Sequence, residues 1–296
     1  MALTDLSRCS VASRHRGDPL AGSAPVASRW LLIEHQGPWA KKPLTTPPLT
    51  ASLGAEIERI CALFGGKVLL VRRPGRRLPG EDPHAWFAID TIRRTRVRGT
   101  WRTADDLREA AHALGVPLSG SDEDADPMVL VCTHATRDAC CAVRGRPIAA
   151  TLAKALPEEV WECTHLGGHR FAGTLLSLPD GACFGQLDPD NALAAVMGHR
   201  AGRTDARFLR GTTRWDPPVQ AALAAVLAEH GPADLDDLVP GAADTDGDHT
   251  TVEVYGRGSL PARAVVDVVR EALPDAPLSC GDVPKAHVAH RATLRP

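Results

Sequence analysis

The order of apolar and polar residues in the first half of the chain predicts a unit of strands and helices. The apolar run RWLLIEH at residues 29–35 is typical of a buried strand, and LTASLGAEIERICALF spaces its apolar residues as a helix does. Gly65 and Gly66 would end that helix. Further strands are predicted at KVLLV, HAWFAID and TRVRGTW, before a helix in TADDLREAAHALGV. We expect a compact α/β domain over residues 29–120, after an irregular lead-in of residues 1–28.

The same order returns in the second half, after the acidic stretch SDEDADP at residues 121–127, which predicts a linker. Strand signals in PMVLVCTH and EEVWECTH flank a helical segment, CAVRGRPIAATLAKAL. Two more strands surround a PDG turn in AGTLLSLPDGACFGQL, and DPDNALAAVMGHR predicts a helix. This order of β-α-β followed by β-β-α is typical of a thioredoxin-like domain, and many other α/β folds also have it. The repetition of the order in both halves favours two related, thioredoxin-like domains, a degenerate one at residues 29–120 and a second at residues 127–230.

The C-terminal region predicts a smaller unit. Residues 231–248 are acidic and contain Gly and Pro, which indicates a loop. The segments TTVEVYG, LPARAVVDVVREALP and KAHVAHRATL then predict a strand–helix–strand extension over residues 249–296. The predicted fold class is therefore α/β, with two tandem thioredoxin-like units and a C-terminal strand–helix–strand extension.

Composition argues against two classes of partner. The chain has 296 residues, 44% of them hydrophobic, and a formal net charge of -2, which predicts no nucleic-acid binding. No apolar run reaches the ~18 residues of a membrane helix, so we expect no membrane association. The N-terminus lacks the apolar core of a signal peptide. We therefore expect a cytoplasmic protein whose eight cysteines stay reduced, as core residues or as ligands.

Two pairs of candidate metal ligands lie in the second predicted domain. Cys132 and Cys141 have C-x8-C spacing, and His165 and His169 follow with H-x3-H spacing. Both pairs are expected on loops that follow strands, where the backbone can curl around an ion or cluster. Cys141 opens a predicted helix, whose N-terminus favours the thiolate, and the adjacent Cys140 is an alternative ligand. Two thiolates and two imidazoles suit either tetrahedral zinc or a [2Fe–2S] cluster.

Residues beside these pairs have predicted supporting roles. Gly167 and Gly168, between the histidines, let backbone N–H groups approach a cluster closely, and Arg170 can offset charge there. His134 and Asp138 lie in the cysteine loop, where they either hold the ligands or cap the loop. The segment at residues 208–215, FLRGTTRW, is interpreted as a basic surface loop.

Three functions remain open from these residues alone. The first is a one-electron carrier or redox sensor with a [2Fe–2S] cluster, because a C-x8-C loop is longer than the spacing of most structural zinc sites. The second is a zinc-stabilised structural or interaction protein that uses the same ligands. The third is a dithiol oxidoreductase based on Cys140 and Cys141. It ranks last because this chain lacks C-x-x-C.

Longer motifs resemble those of the sucrase/ferredoxin-like family. The matching segments are C-x-H-x-x-R-D-x-C-C-A from Cys132, W-E-x-T-H-L-G-G-H-R-F-A from Trp161, L-P-D-G at 178–181, S-C-G at 279–281 and RWLLIEHQGPW from Arg29. The resemblance extends over nearly the whole chain. It implies a thioredoxin-like [2Fe–2S] protein whose cluster ligands are Cys132, Cys141, His165 and His169.

This implied ligand set has redox consequences. Two neutral imidazoles in place of two thiolates make a cluster less negative and raise its reduction potential above that of all-cysteine ferredoxins. Imidazole can also bind a proton on its remote nitrogen, which predicts proton-coupled one-electron transfer. The sequence has no nicotinamide or flavin fingerprint, so we expect an external reductase or other redox partner, and an electron carrier rather than an enzyme. No carboxylate pair argues for sugar hydrolysis.

Overall fold

A computed structural model of the chain describes residues 7–75, 84–115 and 126–296. These residues fold into two compact units. One, the sheet unit, comprises residues 27–75, 84–115, 126–166 and 175–181. The other, the C-terminal unit, comprises residues 7–26, 167–174 and 182–296. These boundaries differ from the predicted domains, because the sheet unit includes both of the predicted β-α-β segments.

Helices and strands alternate through most of the described chain. The helices are α1 (Cys9–Arg16), α2 (Ala51–Leu63), α3 (Ala104–His112), α4 (Ala139–Ala155), α5 (Pro189–Arg200) and α6 (Pro217–His230). The strands are β1 (Arg29–Glu34), β2 (Gly66–Arg72), β3 (His84–Asp90), β4 (Thr95–Trp101), β5 (Met128–Cys132), β6 (Val160–Cys163), β7 (Leu175–Leu178), β8 (Ala182–Phe184), β9 (Leu209–Thr212), β10 (Leu238–Asp246), β11 (His249–Gly256), β12 (Ala264–Ala276) and β13 (Lys285–Leu294).

The strands of the sheet unit form a mixed sheet in the order β4-β3-β1-β2-β6-β5-β7, and a parallel β-α-β connection occurs twice among them. Strands β1 and β2 are parallel and joined through α2, and strands β5 and β6 are parallel and joined through α4. Strand β3 pairs antiparallel with β1, and β7 pairs antiparallel with β5. Both predicted β-α-β segments are therefore present, and the chain has a mixed α/β fold. Antiparallel pairing of β2 with β6 joins the two segments.

The core of the first segment follows the helical spacing predicted for α2. Leu53, Ile57 and Ile60 lie on one face of that helix and are buried. They belong to the same apolar cluster as Leu31 and Ile33 of β1. Burial of this apolar face provides most of the stability of such a helix, because short helices are marginal in water.

The C-terminal unit corrects two predictions. Strands β10 to β13 form a four-stranded antiparallel sheet in sequence order. The helix predicted within residues 249–296 is wrong, because its segment is β12, where Val266 and Val268 are buried and Asp267 between them is half-buried. This alternation and its valines favour a strand. The loop predicted at residues 231–248 is also wrong in part, since it contains β10.

Two further predictions concern the ends of the predicted domains. The lead-in of residues 1–28 is not wholly irregular, because it contains α1, which ends at Gly17 in a left-handed conformation with φ 65°. Most of the predicted linker, residues 121–125, lies outside the described residues. Its last residues precede β5, and Asp126 forms an ion pair with Arg96 at 3.0 Å. Within the described ranges, no helix is long and apolar enough to cross a membrane.

Candidate metal centre

Cys132 is the last residue of β5, a strand in which every residue is buried. The run MVLVC has the continuous apolar character of a strand covered on both faces. In the parallel register, Cys132 lies opposite Cys163 of β6, and the backbone N–H of Thr133 donates to the Cys163 carbonyl at 3.1 Å. The sheet therefore fixes the backbone from which the Cys132 side chain extends.

Cys141 lies in the first turn of α4, whose start is defined by Asp138. The Asp138 carboxylate accepts a hydrogen bond from the backbone N–H of Cys140 at 2.8 Å. Asp138 thus caps the helix, and its role in holding the ligands stays a prediction. Further along α4, a Cβ on Gly145 would lie 2.0 Å from the carbonyl oxygen of Cys132. The cap and the glycine together allow the start of α4 to pack against the end of β5.

Three of the four predicted ligands meet within the sheet unit. The Cys141 sulfur lies 3.6 Å from Nδ1 of His165, and the Cys132 sulfur lies 4.0 Å from the same nitrogen. All three donor atoms lie within 4.8 Å of one another. Both cysteines are buried, and His165 is half-buried. Two sulfurs and one imidazole nitrogen at these separations can bind a metal ion.

The surroundings of Cys132 favour its thiolate. A hydrogen bond with the Cys141 side chain holds the pKa of the Cys132 thiol well below its ordinary value, against the opposing effect of burial. His165 lowers the same pKa through a hydrogen bond and its charge, and the backbone of His134 contributes a further hydrogen bond. The thiolate is the form that binds metals.

His134 is held by residues of the first predicted domain. Its Nε2 donates to the carbonyl oxygen of Ala40 at 2.9 Å, and its ring meets the Trp39 indole edge-on with centroids 5.9 Å apart. Burial lowers the pKa of His134, which favours the neutral ring. Nearby, the Thr136 hydroxyl donates to the Trp39 carbonyl at 2.8 Å. Residues 39–40 therefore support the cysteine loop. Trp39 ends the motif RWLLIEHQGPW, but its contact with this loop was not predicted.

His169 belongs to the C-terminal unit, where it opens a 3-10 helix, His169–Phe171. The two residues before it in this turn, Gly167 and Gly168, have left-handed φ angles of 79° and 67°, which glycine adopts without strain. The backbone N–H of Phe171 donates to the Gly168 carbonyl at 2.8 Å and closes the turn. The structure thus explains the glycine pair by backbone conformation, and the ligand role of His169 stays a prediction.

Two arginines support the turn that carries His169. Arg170, for which a charge role was predicted, faces Asp18 at 3.8 Å. Arg210 donates from Nη1 to the Gly167 carbonyl at 3.0 Å. The interpretation of residues 208–215 as a basic surface loop is wrong, because this segment includes β9, in which Arg210 and its neighbours are buried. Arg210 supports this turn, a role that no pattern in the sequence predicted.

Two of the remaining cysteines are core residues. Cys163 on β6 and Cys183 on β8 are both fully buried. Arg210 Nη1 donates to the sulfur of Cys183 at 3.6 Å. In the C-terminal unit, the Cys9 and Cys280 sulfurs lie 3.7 Å apart, a proximity that was not predicted.

A comparison with models of known protein families shows to which family this chain is related. The model of the sucrase/ferredoxin-like family matches residues 20–211, well over half of the chain. The chain belongs to the sucrase/ferredoxin-like family. The match includes both cysteines and both histidines of the predicted ligand set, so the resemblance drawn from the sequence motifs is confirmed at the level of the family.

The similarity of this chain to solved structures is weaker than its match to the family model. The thioredoxin-like [2Fe–2S] ferredoxin from Aquifex aeolicus matches with 16% identity and a TM-score of 0.25, over 28% of this chain and 88% of that chain. Two variants of that ferredoxin, each with one cysteine replaced by serine, match with the same identity and TM-score over 28% of this chain and 96% of theirs. No curated protein matches this sequence.

Proposed function

We propose that this sucrase/ferredoxin-like protein holds a [2Fe–2S] cluster and acts in one-electron transfer or redox sensing. The observation that carries the proposal is the convergence of Cys132, Cys141 and His165 in the sheet unit. His169, four residues after His165, is the fourth ligand that the H-x3-H spacing adds. Two thiolates and two imidazoles match the ligand number of a [2Fe–2S] centre with mixed ligation.

The residues of this chain prepare two of the ligands in the form that iron requires. The lowered pKa of Cys132 favours the thiolate before any metal binds. Cys141 lies in the first turn of a capped helix, whose N-terminal dipole favours a thiolate there as well. When bound, the cluster would supply one-electron chemistry at a potential raised by imidazole ligation, with the electron coupled to a proton.

A second candidate is a single zinc ion with a structural role, and the donor spacing favours it. Zinc bonds of about 2.3 Å to sulfur and about 2.0 Å to nitrogen, at tetrahedral angles, place the two donors roughly 3.6 Å apart. The separations of 3.6 and 4.0 Å between His165 and the two sulfurs are close to this value.

Metal and sulfide content separates the two candidates. Protein purified without air is analysed for iron, acid-labile sulfide and zinc, and its visible spectrum is recorded. The cluster proposal predicts two irons and two sulfides per chain with visible absorption bands, whereas one zinc in a colourless protein supports the structural role. Protein that binds neither metal, even after reconstitution with iron and sulfide, contradicts both.

Variants then test the ligand set. Cys132→Ser, Cys141→Ser, His165→Ala and His169→Ala are each expected to lose most of the bound iron. The matched controls are Cys163→Ser, which alters a buried cysteine that is no proposed ligand, and His112→Ala, which alters an exposed histidine in the last turn of α3. Full iron content in the ligand variants would rule out this assignment.

The electron donor and acceptor are proposed to lie outside the chain. The sequence carries no nicotinamide or flavin fingerprint, so an external reductase or another redox partner is needed for turnover. We also propose a cytoplasmic location, where thiol ligands stay reduced before the cluster is inserted. Reduction of the loaded protein by NADPH alone, with no added reductase, would argue against an external donor.

A further inference from the structure

Arg210 on β9 is a buried cation, with 1% of its surface exposed. Its Nε donates to the Ser23 hydroxyl at 3.1 Å, and its Nη2 donates to the Ser23 carbonyl. Its Nη1 donates to the Gly167 carbonyl at 3.0 Å and to the Cys183 sulfur at 3.6 Å. The guanidinium is thus well hydrogen-bonded, but its oxygen acceptors are a hydroxyl and backbone carbonyls.

No carboxylate forms an ion pair with Arg210 in the part of the chain that the structure describes. An arginine keeps its charge inside proteins, and a buried charge without a counter-ion is unfavourable. Arg170 in the same unit differs, because it faces the carboxylate of Asp18. Within the described ranges, the positive charge of Arg210 is therefore not neutralised by an ion pair.

The backbone before His169 is shaped around this guanidinium. The Gly167 carbonyl accepts its hydrogen bond, and a Cβ on Gly168 would lie 2.5 Å from Nη2 of Arg210. A Cβ at this position would have to displace the guanidinium, and the left-handed φ of Gly168 also favours glycine. The guanidinium carbon also lies 5.7 Å from the centre of the Phe171 ring, at the other end of the turn.

We propose that Arg210 is a positioning residue for His169 and that its positive charge favours the reduced state of the cluster. This inference rests on the proposed function. Reduction adds one negative charge to the cluster, and a fixed cation in a low-dielectric interior stabilises the reduced state more than the oxidised state. An acidic partner would cancel that effect, which accounts for a buried arginine hydrogen-bonded to neutral acceptors.

Two substitutions separate the charge from the geometry. Arg210→Gln removes the charge, whereas Arg210→Lys keeps the charge but loses the planar set of donors. Arg207→Gln is the matched control, because Arg207 lies three residues earlier and its side chain is 80% exposed. The cluster-loaded proteins are titrated to obtain the midpoint potential, and hydrogen exchange reports on the Phe171 amide that closes the turn.

At a fixed potential, Arg210→Gln is expected to lower the ratio of reduced to oxidised cluster at least tenfold, which corresponds to about 59 mV for a one-electron couple. Arg210→Lys is expected to stay within threefold of the wild-type ratio. Both substitutions are expected to speed exchange of the Phe171 amide, and Arg207→Gln is expected to change neither quantity. If Arg210→Gln does not retain the cluster, Arg210→Lys tests the inference by the same two measurements, the ratio of reduced to oxidised cluster and the exchange of the Phe171 amide.

The outcomes distinguish this inference from the function on which it rests. Wild-type protein without iron or sulfide overturns the proposed function and this inference with it. If the wild-type protein holds the cluster and Arg210→Gln has the same midpoint potential, the charge role alone is overturned. A tenfold or larger fall in the ratio of reduced to oxidised cluster in Arg210→Lys also overturns the charge role. Unchanged exchange of the Phe171 amide in both variants overturns the positioning role.

Discussion

The Cys141 sulfur lies 3.6 Å from Nδ1 of His165, although 24 residues separate the two in sequence. The sheet explains this proximity, because β5 and β6 run parallel as neighbours and both loops leave the sheet at the same edge. One loop leads into α4 with Cys141 in its first turn, and the other carries His165. Ligands that follow two adjacent parallel strands are thereby brought to one place.

Gly145 allows α4 to pack closely against β5, and its replacement is expected to separate Cys141 from Cys132. In Gly145→Ala, the new Cβ would meet the Cys132 carbonyl at 2.0 Å, so the helix has to move. We expect a loss of about 1–3 kcal/mol in the free energy of unfolding, from overpacking, together with reduced iron content. Urea unfolding and iron analysis measure the two effects.

The control for this substitution is Ala150→Gly, at an exposed position of the same helix. It is expected to lose about 1 kcal/mol through helix propensity alone and to keep its iron. Gly145→Ala protein with the stability and iron content of the wild type would show that the close packing has no role at the site.

The Asp138 cap is expected to contribute both to stability and to the environment of Cys141. Asp138→Ala leaves the Cys140 backbone N–H without this acceptor and is expected to cost about 1 kcal/mol. Asp138→Asn retains a side-chain oxygen and is expected to recover most of that stability. Thermal unfolding of the three proteins measures the difference. Equal destabilisation by Asn and Ala would mean that Asp138 acts through its charge rather than as a cap.

Asp90 is expected to make the protein sensitive to acid. Burial raises the pKa of Asp90, but hydrogen bonds from the Arg93 backbone and the Arg29 side chain outweigh burial, so the net pKa is lowered. A carboxyl with a lowered folded-state pKa stabilises the fold above its unfolded pKa of about 4. That stabilisation is lost as the pH falls through the folded-state value.

The measurement is the free energy of unfolding against pH for the wild type and Asp90→Asn. The wild type is expected to lose stability more steeply below about pH 4, because the amide side chain of the variant cannot titrate. Parallel curves for the two proteins would mean that other carboxyl groups account for the acid sensitivity.

Cys61 is expected to be chemically inert in the folded protein. It is fully buried in α2, and burial, with a smaller effect of Glu58, raises the pKa of its thiol to about 12. Because the thiolate is the nucleophile, iodoacetamide should not modify Cys61 at mildly alkaline pH until the protein unfolds. Peptide mass spectrometry before and after addition of urea tests this. Modification of Cys61 in the native protein at the unfolded rate would contradict its burial.

Local patterns predicted the features that depend on short stretches of chain. The apolar run ending at Cys132 and the helix that follows it are both present, and their spacing placed Cys141 in the first turn of α4. The motif that contains His165 also identified the family. These predictions succeeded because strand and helix signals, and the spacing of ligands after strands, are local properties of the sequence.

Several of the failures depend on contacts between distant residues. The segment of β12 contains helix-compatible Ala, Arg and Glu, and pairing with β11 and β13 determines its strand conformation. Burial of Arg210 depends on acceptors at Ser23 and Gly167, which are 187 and 43 residues away. The contact between His134 and Ala40 spans 94 residues. A local pattern contains no information about such partners.

The measurement that tests the central claim most directly is pulsed electron paramagnetic resonance of the protein purified without air and reduced with dithionite. The account predicts a one-electron-reduced [2Fe–2S] signal with hyperfine coupling to two imidazole nitrogens, one of which disappears in any His165→Ala protein that retains a cluster. A colourless protein with one zinc and no signal would contradict the account. A cluster signal without strongly coupled nitrogen would contradict the histidine ligands.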